Sequence, residues 1–525
     1  MKYIYSIIKA DYLQRTRSYS FLITLAITIY AAYSFVPPPT ASYTTLNVVG
    51  YKGVYNAAWV GHVSAMMTAI MLSLYGFFLV NSGIKKDIDT EVGLIIATTP
   101  ITNFGYLLSK LLSNFLVLLT IAGITFIISI VMFFVRTTGQ PFITSDFIFP
   151  YLFFVLPALF TISALAIAGE VFLRKRTILQ YVAFIFLFGV IMANVNGQKN
   201  NTVAVFIDPF GVRTMVQSVK DKINTQYHEN IQAINLGFTF NHRQGFKTFE
   251  WNGIAWTSIF FLSRLVWISF SLALVYFSSF FFHRFDFKQP LSKKKKTAIT
   301  IQDTPAISIA PAGISRESLP PVVADYSIFP FIKTELLLLL RQGPQWLWLI
   351  NGGLWISMLF VPLNIAYAYL LPVLLFMQVT RWSDLATKEK TNRLHYFTYS
   401  SYKPLQRMLP SQLLAGIVMA LALLAPVLLR CLITADLFSV INIINGCLFI
   451  VLLAVCFGIV SGSKKLYEII FFLLTYLIID KAPFADFIGG IPHDNHAAYL
   501  TTMVILNLFL AITSFTVRSY QVRHL

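Results

Sequence analysis

The sequence contains little charge. Only 12% of its 525 residues are Asp, Glu, Lys or Arg, whereas 57% are hydrophobic. A soluble globular domain carries about twice that charged fraction, so the composition excludes a soluble protein and predicts a membrane protein. Cysteine is also scarce: Cys431, Cys447 and Cys456 are scattered in or beside apolar stretches. This distribution excludes a disulfide framework and a cysteine-based metal site.

Motifs for catalysis are lacking as well. ATP hydrolysis requires a glycine-rich phosphate loop that ends in Lys and Ser or Thr, and the nearest string, Gly458 to Lys464, has the wrong spacing. The His-Glu-x-x-His motif of zinc peptidases is missing, and we interpret His493 and His496 as residues of a solvated loop. The sequence therefore predicts a protein that is not an enzyme and that binds no cofactor or metal itself.

Long hydrophobic runs, in contrast, are abundant. Twelve apolar segments have about the length needed to cross a bilayer. They lie near residues 20–36, 60–82, 112–135, 149–172, 177–193, 265–283, 345–361, 364–380, 411–433, 437–460, 466–480 and 497–517. Lys and Arg concentrate on the side of both termini, which the positive-inside rule assigns to the cytoplasm. We therefore attribute the net charge of +18 to topology and anionic lipid rather than to nucleic-acid binding.

Two parts of the sequence resemble each other. The string from Ile8 to Leu13, followed by Arg17, returns as Ile332 to Leu337, followed by Arg341, and each copy precedes an apolar segment. Six segments per half is an even number, so both halves have the same orientation. The predicted fold is an all-α polytopic membrane protein with about 12 transmembrane helices in two parallel six-helix repeats, residues 1–285 and 328–525.

Two polar stretches lie outside these segments. Residues 194–252 form an outer segment of the first half that is rich in Asn, Gln, Gly and Thr, and we expect it to cover the end of a pathway. Residues 286–327 contain a run of lysines and several prolines, and this composition predicts a disordered cytoplasmic linker between the halves.

The loop between the second and third segments carries most of the functional information. In the first half, Ile88, Val92 and Ile95 share one face of a short surface helix that ends before Pro100. A second charged stretch runs from Asp384 to Thr398. Such helices are suited to receive a force from a cytoplasmic ATPase. The alternative interpretation is that they anchor the loops to lipid. The candidate coupling residues are Asp87, Asp89, Glu91, Gly93, Leu94, Thr98, Thr99, Pro100, Asp384, Glu389, Arg393 and Leu394.

The first half resembles the membrane (permease) subunits of type-2 ATP-binding cassette exporters. The resemblance rests on Glu91-Val92-Gly93-Leu94, on Ala97-Thr98-Thr99-Pro100-Ile101-Thr102 with Tyr106 and Lys110, and on the lead-in from Ile8 to Arg17. Asp208-Pro209-Phe210-Gly211 and Ser263-Arg264-Leu265-Val266-Trp267 resemble a duplicated branch of that family. The second half departs from the pattern, since it has no Thr-Pro break after Thr398.

The resemblance implies an exporter subunit of the plasma (bacterial inner) membrane, with both termini cytoplasmic. It implies that two separate ATP-binding subunits hold ATP and magnesium, and that membrane lipids are the other partners. Two alternatives remain open: a secondary transporter of the major facilitator type, and a non-transport scaffold or sensor. A major facilitator protein joins its second and third spans by a short turn, whereas both loops are long here.

Charged residues within the apolar segments are few. Glu170 lies four residues before Arg174, and we interpret the two as a local ion pair. Arg264 is expected at the outer interface, where its guanidinium either contacts an anionic lipid or substrate headgroup or snorkels to the surface. The uncharged, aromatic-rich interior indicates an amphipathic or lipid-like substrate, although aromatic side chains are also common on lipid-facing surfaces.

Overall fold

The computed structural model describes residues 2–38, 41, 43–48, 50–137, 139–174, 176–193, 202–228, 231, 234–240, 247–282, 327–343, 345–479, 485–490 and 496–524. These residues form an almost entirely helical protein. Seven of the described helices are long and apolar enough to cross a membrane. The chain is therefore an α-helical polytopic membrane protein. The predicted linker is outside this range except for Ser327.

The first half begins with two helices and two short strands, and then continues mostly in helices. Its elements are α1 (Lys2–Thr16), α2 (Tyr19–Ser34), β1 (Tyr43–Asn47), β2 (Tyr51–Gly53), α3 (Ala57–Val80), α4 (Gly83–Asp89), α5 (Val92–Ala97), α6 (Asn103–Arg136), α7 (Ser145–Pro150), α8 (Leu156–Leu173), α9 (Thr177–Ala193), α10 (Thr202–Ile207), α11 (Val212–Tyr227), β3 (Asn235–Phe240), β4 (Lys247–Phe249) and α12 (Ser258–Phe281).

The described residues of the second half form helices and turns but no strand. Its elements are α13 (Phe329–Arg341), α14 (Trp346–Phe360), α15 (Leu363–Ile365), α16 (Leu371–Phe376), α17 (Val379–Trp382), α18 (Lys388–Thr391), α19 (His395–Tyr399), α20 (Pro404–Ile433), α21 (Leu437–Ser461), α22 (Lys465–Ile479) and α23 (His496–Arg523). Wide π turns at Tyr151–Val155 and Ala366–Leu370 join α7 to α8 and α15 to α16.

Each of the twelve apolar segments of the sequence lies on a helix or a joined helix pair. Side-chain caps define where several of them begin. The side-chain oxygens of Ser18, Asn56, Thr102 and Thr257 accept hydrogen bonds from backbone N–H groups of the first turns of α2, α3, α6 and α12. These caps satisfy donors that a helix start otherwise leaves unpaired.

Helix α3 lies at the centre of the molecule, with 94% of its apolar stretch buried, whereas only 22% of that of α23 is buried. The exposed apolar faces of α6, α12, α20 and α23 are the surfaces that lipid covers. The two halves share one continuous hydrophobic core. The rings of Phe78 on α3 and Phe472 on α22 lie 4.1 Å apart and mark this contact.

The described residues of the segment 194–252 and of the loop after α2 form one layer over the helix ends. β1 pairs with β3 in an antiparallel sheet, and β2 pairs with β4 in a parallel one. The ring of Trp59 at the start of α3 packs edge-on against Phe249 and Trp251. We call this end of the molecule the α11 side, and the opposite end, which carries α4 and α5, the α4 side.

Candidate functional site

On the α4 side, one lysine joins three helices of the first half. Lys110 Nζ on α6 lies 2.7 Å from Asp11 Oδ2 on α1 and 2.7 Å from Asp87 Oδ2 on α4. The Tyr106 hydroxyl donates a further 2.7 Å hydrogen bond to Asp87. Lys110 and Asp87 are both buried. Because a buried charge without partners is expensive, this set of contacts fixes α1 and α4 against α6.

The other end of α4 is held by Glu170 on α8. One carboxylate oxygen accepts the N–H groups of Ser82 and Gly83 at 2.8 and 2.9 Å. The second accepts those of Ile84 and Lys85 at 2.8 and 3.1 Å. Glu170 thus satisfies all four unpaired donors at the start of α4, and its negative charge lies at the positive end of that helix. The interpretation of Glu170 as half of an ion pair with Arg174 was wrong.

Arg15 of α1 lies beside the same helix start. Its guanidinium approaches so closely that a Cβ on Gly83 would lie 2.6 Å from Nη2. Burial lowers the pKa of Arg15, while the nearby carboxylates of Asp11 and Glu170 act in the opposite direction. These contacts make α1, α4, α6 and α8 one connected unit on the α4 side. None of them depends on the exposed surface of α5.

The predicted coupling residues of the first half divide into two groups. Asp87 and Gly93 are buried and Thr99 is half-buried, whereas Asp89, Glu91, Leu94, Thr98 and Pro100 are exposed. The expected single helix is broken at Thr90 and Glu91, and Glu91 has a left-handed backbone with φ of 60°. The break turns α5 so that the side chains of Leu94 and Ile95 are 45% and 69% exposed. Apolar side chains exposed beside charged ones are typical of a contact surface.

The second half has a related but different arrangement. The charged stretch from Asp384 to Thr398, which was predicted as one helix, forms two short helices, α18 and α19. Lys388 pairs with Glu335 of α13, the counterpart of Asp11 in the repeated string. Asp384 pairs with Lys464 at 2.5 Å and accepts a hydrogen bond from Gln342. As in the first half, an acidic residue of the lead-in helix is bound to a lysine.

The remaining predicted residues of the second half are divided in the same way. Glu389 is buried and accepts a 2.6 Å hydrogen bond from Gln412 of α20. Burial raises the pKa of Glu389. Arg393 and Leu394 are exposed, and Arg393 has a left-handed backbone with φ of 57°. Each half therefore has an exposed non-glycine residue with a left-handed backbone just before a short surface helix, which is α5 in the first half and α19 in the second. This backbone conformation costs about 1 kcal/mol or more.

The two halves are joined by a polar cluster that the sequence did not indicate. The Tyr181 hydroxyl on α9 donates to Glu468 Oε2 on α22 at 2.8 Å and accepts from Lys465 Nζ at 2.7 Å. Ser383, just after α17, donates to the other Glu468 oxygen at 3.4 Å. Glu468 and Tyr181 are buried. Tyr181 and Glu468 lie 287 residues apart in the chain, so no local spacing could have identified the pair.

A cavity of about 420 Å³ lies between the halves, further towards the α11 side. Its walls are α2 and α22, its floor is α3, and Tyr43 and Phe238 from the β1–β3 sheet cover one end. None of the described residues that line it is charged. A second cavity of about 840 Å³ lies on the α4 side between α13 and the short helices of the second half.

Arg264 lies near the start of α12, on the α11 side. It is 3% exposed, and its guanidinium donates to the backbone oxygens of Asp208 and Pro209 and to the Ser263 hydroxyl. The carboxylate of Asp208 in turn accepts the N–H groups of Phe210, Gly211 and Arg213. Arg264 therefore holds the turn before α11 in place, and its donor groups face protein rather than lipid.

Among the described residues, no group of three His, Cys, Asp or Glu side chains has the arrangement to hold a metal ion. Comparison with known proteins gives no match, since no protein-family model, no curated protein and no solved structure resembles this chain.

Proposed function

We propose that this chain is the membrane (permease) subunit of an ATP-binding cassette exporter. It forms the substrate path, and two separate ATP-binding subunits bind ATP and magnesium and drive it. The observation that carries the proposal is the attachment of α4. Lys110 and Glu170 connect the two ends of this surface helix to α6 and α8, so a force on α4 and α5 is transmitted directly to two long helices.

We extend the proposal to twelve spans in two parallel six-helix repeats. Seven spans are the long helices. Five more would come from α2, α9, α14, the joined pair α15 and α16, and α22. A recurring turn supports the repeat. Asp208 and Asp486 both accept backbone N–H groups of the residues that follow, and Gly211 and Gly489 have left-handed φ values of 76° and 80°.

The same glycines make equivalent contacts. A Cβ on Gly211 would lie 2.5 Å from Phe154 on the π turn before α8, and one on Gly489 would lie 2.8 Å from Asn442 on α21. In the repeat these are the fourth spans of the two halves. The proposal places the α4 side and both termini in the cytoplasm of a cell with a plasma (bacterial inner) membrane, because ATP is available there.

The coupling surface in this proposal is the exposed group of predicted residues. Asp89, Glu91, Leu94, Thr98 and Pro100 in the first half and Arg393 and Leu394 in the second meet the ATP-binding subunits. Asp87, Asp384 and Glu389 hold the surface elements in place instead. The scarcity of charged residues within the apolar segments of the sequence favours this mechanism over ion-coupled transport.

The test is affinity purification of the chain from its native membranes in mild detergent, followed by mass spectrometry. We expect a chain with a phosphate-binding loop to co-purify. Leu94→Asp should reduce its recovery roughly ten-fold, the effect of losing about 1.4 kcal/mol of binding energy. The matched control is Leu437→Asp, at an exposed leucine on the α11 side.

Failure to recover such an ATPase, under conditions that preserve other membrane complexes, would contradict the proposal. The same holds if Leu94→Asp and Leu437→Asp reduce recovery equally, because the contact would then not lie on α5.

A further inference from the structure

The cavity between α2 and α22 has the properties of a binding site within the bilayer. It lies where the first and second halves meet, and its volume of about 420 Å³ is within the usual range for small-molecule sites. On one wall are Ile27 and Thr28 of α2, and on the other are Ile470 and Leu473 of α22. These largely apolar walls are suited to contact lipid chains.

Access to this cavity is from the side. Tyr43 and Phe238, whose rings lie 5.8 Å apart, close the end towards the β sheets. Tyr30 at the rim is 74% exposed on the membrane-facing surface of α2. A molecule that enters from solution would meet the sheet, whereas one that moves within the bilayer meets an open rim.

The polar groups of the cavity favour a particular chemistry. The Thr28 hydroxyl lies 2.8 Å from the backbone oxygen of Thr24, to which it donates, and 2.8 Å from the Tyr75 hydroxyl. A threonine hydroxyl has one proton, so Tyr75 is the donor to Thr28. The Tyr75 oxygen then keeps acceptor capacity at the cavity wall. A ligand that fills this site presents a hydrogen-bond donor there.

The charges of the lining side chains decide which lipid headgroups fit the cavity. Among the described residues, neither a basic nor an acidic side chain lines the cavity, and an ionised headgroup in an uncharged site within the membrane would remain unpaired, which is costly. We infer that the cavity between α2, α3 and α22 binds an uncharged lipid with an apolar chain and a hydroxyl group, which donates to Tyr75. Calling this lipid the substrate rests on the proposed transport function, whereas the binding site itself does not.

The experiment uses the purified full chain in phosphatidylcholine bilayer discs. The probe is a long-chain alcohol with a photoreactive diazirine, compared with the corresponding methyl ether and carboxylate. Mass spectrometry locates the labelled peptides. We expect the alcohol to label α2 and α22 about five-fold more than the ether, as the loss of one buried hydrogen bond predicts.

Three variants make the result specific. Leu473→Trp fills the cavity and should abolish the labelling of α2 and α22. Tyr75→Phe should reduce labelling by the alcohol to the level of the ether. Ile505→Trp, at a 66% exposed position on α23, should change neither.

Labelling spread over all exposed helices and unaffected by Leu473→Trp would overturn the site, and equal labelling by alcohol and ether would overturn the hydroxyl assignment. Co-purification of the ATPase with Leu473→Trp is measured in parallel. Local labelling without an ATPase partner would leave the lipid site standing and remove the transport proposal. An ATPase partner without local labelling would leave the transport proposal standing and remove the lipid site.

Discussion

Single residues carry much of the connection between surface and membrane in this protein. Lys110 is the clearest example, because two carboxylates on two different helices depend on its charge. Lys110→Met would leave Asp11 and Asp87 without their cation in a largely buried position. We expect the variant to lose about 3–5 kcal/mol of stability, measured by thermal unfolding in detergent.

The matched control is Lys85→Met, at an exposed lysine of α4. Combining Lys110→Met with Asp11→Asn and Asp87→Asn should restore part of the loss, because the uncompensated charges are then removed. Equal stability of Lys110→Met and Lys85→Met would show that the ion pairs do not hold α4.

A second prediction at this scale concerns two left-handed glycines. Gly139 has φ of 73°, and a Cβ added there would meet no atom within 4 Å, whereas Gly211 has φ of 76°, and a Cβ added there would lie 2.5 Å from Phe154. Gly139→Ala should cost about 1 kcal/mol, the backbone term alone. Gly211→Ala adds the collision with Phe154 and should lower the melting temperature clearly more. Equal effects of the two substitutions would exclude close packing of the turn against the π segment.

At the scale of elements, α4 depends on a carboxylate from another helix. Glu170→Gln replaces one acceptor oxygen by an NH₂ group, which faces the N–H groups of α4 and cannot accept from them. We expect faster hydrogen exchange over residues 82–89, since lost acceptors cost about 1–3 kcal/mol. Exchange in the middle of α6 is the internal control. Unchanged protection of α4 would contradict its capping by Glu170.

Helix α21 has a cap that responds to pH. Hydrogen bonds from the Ser439 hydroxyl and N–H groups hold the pKa of Asp436 below its usual range. A carboxylate with a lowered folded-state pKa stabilises fully above its unfolded pKa of about 3.9, and this stabilisation disappears as the pH falls through the folded value. Asp436→Ala should therefore cost about 1 kcal/mol at neutral pH.

The difference between wild type and Asp436→Ala should shrink in unfolding measurements below about pH 4. Asp436→Asn keeps an uncharged cap and serves as the control, because its stability relative to Asp436→Ala should not depend on pH. A constant difference between wild type and Asp436→Ala across this range would exclude the charged cap.

The elements also show what the sequence alone can predict. Each of the twelve hydrophobic runs lies on a helix or a joined helix pair, and the two copies of the repeated string lie on α1 and α13, because both signals are local. The break between α4 and α5 was not predicted, since Ile88, Val92 and Ile95 fit one helical face. Glu170 determines where α4 begins, and it lies more than 80 residues from that helix in the chain. Contacts of this kind leave no periodic pattern.

For the whole molecule, the contact between the halves is the feature to test. Tyr181→Phe removes the hydroxyl that joins α9 to α22 but leaves the Lys465–Glu468 ion pair, whose atoms lie 3.3 Å apart. We expect a loss of roughly 1–3 kcal/mol, as for other hydrogen bonds to charged groups. A double-mutant cycle with Glu468→Gln should give a coupling energy of at least about 0.5 kcal/mol.

Additive effects of Tyr181→Phe and Glu468→Gln would mean that the two side chains do not interact across the halves.

The pair and the nearby cavity were both beyond prediction from sequence for the same reason. Their residues come from α2, α3, α9 and α22, and which helices become neighbours depends on packing of the complete fold. The hydrogen bonds of Arg264 were beyond prediction for the same reason, because its partners Asp208 and Pro209 lie in a turn over 50 residues earlier.

The pairing of β1 with β3 has a consequence for how the protein is made. The strands are separated by about 190 residues, so at typical synthesis rates β1 waits on the order of 10–40 seconds for its partner. During that time its edge is open to any other extended segment. The layer over the α11 side is therefore completed only after α3 to α11 have been synthesised. Errors of assembly should concentrate on that face of the newly made protein.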